Sequence, residues 1–152
     1  MTVHSRMTTT DGIAAGDWKE VEGLARAVAE AAFGDDTVLY THAVDELFGR
    51  LRILESRYGP LPSILATMAD YTKDDREALD LLENAFFVSE HRNDAANMTY
   101  IASSIAQRYV EDLCDLAKGK EWVDRLRRCL LAFPDHTERE VLAELDARLD
   151  RE

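Results

Sequence analysis

Apolar residues in this chain recur every three or four positions, and no stretch alternates apolar and polar strictly enough to predict a strand. Trp18, Val21, Ala25, Val28 and Ala32 form the first stripe. It predicts a helix with Asp17 and Glu20 as a capping box and Gly34 as its stop. A second stripe, Tyr40, Ala43, Val44, Leu47, Phe48, Leu51 and Leu54, predicts a helix from about Thr37 to Tyr58. Gly59-Pro60-Leu61-Pro62 breaks the pattern, and Pro62 suits the first turn of a third helix, where its missing N–H is not needed. That helix carries Ile64, Leu65, Met68 and Ala69. Thr72 and Asp75 fit a capping box for a fourth helix bearing Ala78, Leu81, Leu82, Ala85 and Phe86.

Asn93-Asp94 opens a fifth predicted helix that runs to about Ala117, with Gly119 as its C-cap. Its middle, IASSIAQRY (101–109), places Ile101, Ile105 and Tyr109 at helical spacing among small residues. Trp122, Leu126, Cys129 and Leu130 mark a sixth helix closed by Pro134. Asp135 with Glu138 caps a last one, with Val141, Leu142, Leu145 and Leu149 on one side and charged residues opposite. The expectation is an all-α chain of about seven helices. Residues 1–16 read as a flexible lead-in and 17–152 as a single domain, with hairpins at 17–58, 61–92 and 94–133 and a capping helix at 135–151.

The helices carry an internal repeat. Leu24-Ala25 with Val28, Leu65-Ala66 with Ala69, and Ile105-Ala106 with Tyr109 each set a large residue, a small one and a third three on, at intervals of about 40 residues. Ala78, Leu82 and Ala85 follow in the next helix, and Trp122, Leu126, Cys129 and Pro134 repeat that spacing once four residues are inserted. The set resembles the tetratricopeptide repeat over roughly residues 17–134. Val28 and Ala69 stand where that family prefers an aromatic, and the repeat exceeds its usual length of about 34 residues. The resemblance implies antiparallel helical hairpins stacked as a short right-handed superhelix. Its first helices would line a groove for a polypeptide. Carried across by position, that groove comprises Lys19, Glu22, Arg26 and Glu30, then Ser63, Thr67, Asp70 and Tyr71, then Tyr100, Ser103, Gln107, Val110 and Glu111.

The chain's 152 residues suffice for a real core, and a hydrophobic share of 46% argues against wholesale disorder. The formal net charge of −12 disfavours nucleic acid, whose phosphates need clustered Lys and Arg; it favours solubility, and it would attract a basic partner if focused on one face. Cys114 and Cys129 show no metal or redox spacing and read as reduced core thiols. No secretory signal or membrane-spanning run is visible, so the expected setting is a bacterial cytoplasm without a membrane partner. Metalloprotease, di-iron, nucleophile-elbow and phosphate-loop motifs are missing. His4, His42, His91 and His136 are dispersed, and His42 with Glu46 at i, i+4 is too small a ligand set. Arg125, Arg127 and Arg128 form a small basic cluster, read as complementing the helix dipole or touching an anion.

The expectation is therefore a non-enzymatic module, without cofactor or metal, that binds a protein or peptide in its groove. Two alternatives are an immunity-type protein that neutralises a basic toxin and an enzyme with a pocket between helices. Self-association as a homodimer is compatible with so short an array. Ala106 marks a close helix approach in every version. Ala106→Leu should overpack it and lower stability by about 1–3 kcal/mol, and a thermal melt unchanged from wild type would contradict the assignment.

Overall fold

A computed structural model describes residues 9–151, and every regular element among them is helical. The order is α1 Ala15–Phe33, α2 Thr37–Tyr58, α3 Pro62–Asp70, α4 Asp75–His91, α5 Ala95–Gln107, a π-helical turn at Arg108–Asp112, α6 Leu116–Ala132 and α7 His136–Asp150. The all-α class predicted from the periodicity is what forms. The chain divides into two compact units, Met1–Ile64 and Leu65–Glu152, and the division falls inside α3.

In the first unit α1 and α2 pack as a hairpin. Trp18, Val21, Val28 and Ala31 are buried on α1, and Ala43, Leu47, Leu51 and Leu54 on α2. The predicted α1 stripe is thus shifted at its end, where Ala31 is buried while Ala32 is exposed and Ala25 only half-buried. Asp17 is not the N-cap. The helix starts earlier, after Ala14, which supplies no side-chain cap. The Asp17 carboxylate instead accepts the Tyr58 hydroxyl and Arg57 Nη1. The Tyr58 oxygen in turn accepts the Ala14 N–H at 3.2 Å, so α2 satisfies the start of α1 from outside. The Tyr58 hydrogen bond first, then the Arg57 guanidinium, holds the Asp17 carboxyl below its usual range.

Of the lead-in expected at residues 1–16, residues 1–8 lie outside the described residues, and α1 begins at Ala15. Asp11 and Ile13 are buried. Asp11 accepts the Ser63 N–H at 2.7 Å and the Ser63 hydroxyl at 3.0 Å. Ser63 lies in the first turn of α3, where N–H groups have no helical partner, so a carboxylate 52 residues away takes one of them.

In the second unit one core gathers Leu65, Ala66 and Ala69 of α3 with α4, α5, α6 and Leu145 of α7. The repeat positions Ala66, Ala69, Ala78, Leu82, Ala85, Ile105, Ala106, Tyr109, Trp122, Leu126 and Cys129 all enter it. Phe86 and Trp122 meet edge to face at 5.1 Å. Asp74 caps α4 by accepting the Glu77 N–H, displacing the predicted Thr72, whose hydroxyl donates to Met68 O instead. Asp94 and Asp135 cap α5 and α7 as the sequence predicted.

The fifth helix is shorter than its pattern. After Gln107 the backbone widens into a π turn, in which Leu113 N–H reaches Arg108 O at 2.9 Å. Cys114 then takes a left-handed φ of 53°, and Asp115 N–H bonds Tyr109 O at 2.8 Å. Asp115 caps α6 through Lys118 N–H. The residues inserted into the repeat between Tyr109 and Trp122 thus lie in the π turn, its link and the first turns of α6. Gly119 is consequently no C-cap but a buried residue inside α6. A Cβ there would lie 2.6 Å from Cγ2 of Val110, itself buried.

Val110 is β-branched and stiff, so it cannot swing aside. Gly119→Ala should therefore cost more in overpacking, about 1–3 kcal/mol, than the roughly 1 kcal/mol it gains in helix propensity. In a Val110→Ala background the same change should turn neutral or stabilising. A double-mutant cycle by urea denaturation reads the coupling, and purely additive effects would exclude the close contact.

Candidate functional site

α3 and α5 meet at their polar edges in the second unit. Tyr100 on α5 directs its hydroxyl to Asp70 Oδ2, at the end of α3, at 3.4 Å. Gln107, two turns further along α5, is half-buried, as are Thr67 and Tyr71. Arg108 ties the same region together. Its Nη2 donates at 3.1 Å to Ala69 O, which also accepts the Thr72 N–H at 3.2 Å, and its Nη1 pairs with Asp75 at 2.9 Å. Sequence reading passed over Arg108, because its partners stand 33 and 39 residues away and no spacing rule announces them. Chemically this edge offers two aromatic rings, three hydroxyls, an amide and one carboxylate, from Thr67, Asp70, Tyr71, Tyr100 and Gln107.

Other expected groove residues lie elsewhere. Ser103 is buried, and Gln107 Nε2 donates to both its carbonyl and its hydroxyl at 3.2 Å, so it presents no open surface. Val110 is buried against Gly119. Arg26 is exposed on α1 and Ser63 is engaged by Asp11, both in the first unit, and Glu111 is exposed on the π turn. The basic cluster is committed in part. Arg127 forms a two-pronged pair with Asp146 of α7, at 2.9 and 3.0 Å, and Arg125 stacks over Trp122 at 4.4 Å.

The expectation of two core thiols fails at Cys114, which is exposed, while Cys129 is buried and its thiol pushed up by that burial. His42 and Glu46 approach to 3.2 Å on an exposed turn. Among the described residues no three His, Cys, Asp or Glu side chains converge as metal ligands, and no helix is long and apolar enough to cross a membrane. Set against known proteins, the chain matches no family, no curated protein and no solved structure. The tetratricopeptide likeness therefore rests on the residues that carry it and on nothing else.

Tyr109 follows Arg108 in the π turn. It is buried and donates its hydroxyl to Glu83 at 3.0 Å. Burial first, then the Glu83 carboxylate, pushes its phenol up from 10.0 to about 12. The fold favours the neutral phenol, so its contribution is complete below the unfolded value and is lost as pH rises through about 12. Urea melts from about pH 9 to about pH 11 should show falling stability, with a shallower fall in Tyr109→Phe. Parallel slopes in the two proteins would remove the effect from Tyr109.

Proposed function

We propose that the second unit is a non-enzymatic recognition module of tetratricopeptide-like construction, with the α3–α5 edge binding an extended or helical polypeptide segment. The observation that carries this reading is the Asp70–Tyr100 contact between α3 and α5, which the tetratricopeptide resemblance would make the first helices of successive hairpins. The burial of the repeat's small and large positions in a single core supports it. Tyr71 and Tyr100 would offer ring faces, and Thr67 and Gln107 would bond the ligand's main chain. Few-rotor aromatics give contact area at low entropic cost, which is why such rings dominate binding surfaces.

Peptides selected from a random library on the immobilised full chain test the reading. Tyr71→Ala with Gln107→Ala should weaken the selected peptides at least about tenfold, which corresponds to roughly 1.4 kcal/mol. Both side chains are half-buried and Gln107 bonds the buried Ser103, so circular dichroism and a thermal melt first confirm that the double variant keeps its helical fold. Selected peptides that bind the double variant as well as wild type would place the recognition surface elsewhere.

A further inference from the structure

The outward side of α2 carries apolar groups that the hairpin does not use. Phe33 is 96% exposed, Val38 81%, Leu39 52% and Ile53 49%. At 3.6 residues per turn, Val38, Leu39, His42, Glu46, Gly49 and Ile53 fall within an arc of about 100°, away from the buried Ala43, Leu47, Leu51 and Leu54. From Leu39 to Ile53 that face runs about 21 Å. Phe33 is the last residue of α1, with three residues between it and the start of α2.

Toward α1 the face opens into a depression of about 510 Å³, walled by Leu24 and Ile53 and edged by the Glu20–Arg50 ion pair at 2.7 Å. Gly23 and Gly49 border it. A Cβ on either would meet nothing within 4 Å, and neither has a left-handed φ, so the hairpin's own packing does not require glycine there. Glycine inside a helix weakens it relative to alanine. What the two glycines provide is room for another backbone to come close.

Charge selects the occupant. Between Arg26 and Arg50 there is no Lys or Arg, while Glu30, Asp35, Asp36, Asp45 and Glu46 are acidic. A second copy would set these carboxylates against their equivalents, and an anionic lipid surface would be repelled. We propose that this face of α2 docks a Lys/Arg-rich amphipathic helix of a partner protein. The partner's apolar stripe lies over Val38, Gly49 and Ile53, and its cations flank the stripe to meet Asp45, Glu46 and Asp35. This surface belongs to the first unit and is independent of the α3–α5 edge.

The probe is a synthetic helix of about four turns with Leu on one face and Lys on the other, titrated into the full chain and followed by amide NMR and calorimetry. Expected are shifts concentrated in residues 33–53, affinity that falls at least about tenfold between low and high salt, and at least a tenfold loss in Val38→Ser with Ile53→Ser at unchanged melting temperature. Gly49→Leu, which fills the depression's edge without removing an apolar group, should weaken the peptide as well. A peptide with Glu in place of Lys should not bind. Binding that survives the double serine variant is mere attraction to an acidic protein and overturns the proposal. So do shifts confined to residues 65–151, equal binding of the Glu peptide, or sedimentation showing a dimer dissolved by the double variant.

Discussion

A helix without a charged side chain has little to offer water, and α5 is such a helix. From Ala95 to Gln107 it packs against α4, α6 and α7, and Ile101, Ala102, Ile105 and Ala106 are fully buried. Its hydroxyls are satisfied inside the fold. Thr99 donates to Ala95 O, and Ser103 accepts from Gln107. Small residues let its neighbours approach closely enough to exclude water around it. Asn97, Tyr100 and Gln107 bring larger polar groups toward the surface, and the last two mark the candidate binding edge.

The same tightness governs the end of α5. Gly119 lets α6 come against Val110, and the π turn with its left-handed Cys114 fits the extra residues between helix and helix. Arg108, at the first position of that turn, reaches across to Ala69 and Asp75. An irregular turn thus ties α3, the start of α4 and α6 together.

Acidity here has two sources. Asp36, Asp74, Asp94, Asp115 and Asp135 each cap a helix by accepting the N–H three residues on, and Asp11 and Asp17 do comparable work on more distant backbone and side-chain groups. These carboxylates suit the positive ends of helices. A net charge of −12 is therefore partly structural, and only the remainder bears on partners. The stretch from Ala27 to Gly49 carries five acidic residues and no Lys or Arg, together with the exposed Phe33, Val38 and Leu39.

Periodicity alone determined the helical class, the breaks at Gly34, at Gly59 through Pro62 and at Pro134, and the small-residue positions at Ala66, Ala78 and Ala106. Each is a local property: spacing places a stripe, and Pro or Gly ends it. Tertiary structure decided what depends on distant partners. It freed Asp17 from capping by bringing Tyr58 to it, buried Asp11 against Ser63, shortened α5 at Arg108 and turned Gly119 from a supposed terminator into a contact. It also withdrew Ser103 from the expected groove, because a small polar residue reads alike on an open edge and in a crowded core. Spacing along a chain fixes which residues share a helix face; only the packing of other helices fixes whether that face meets water.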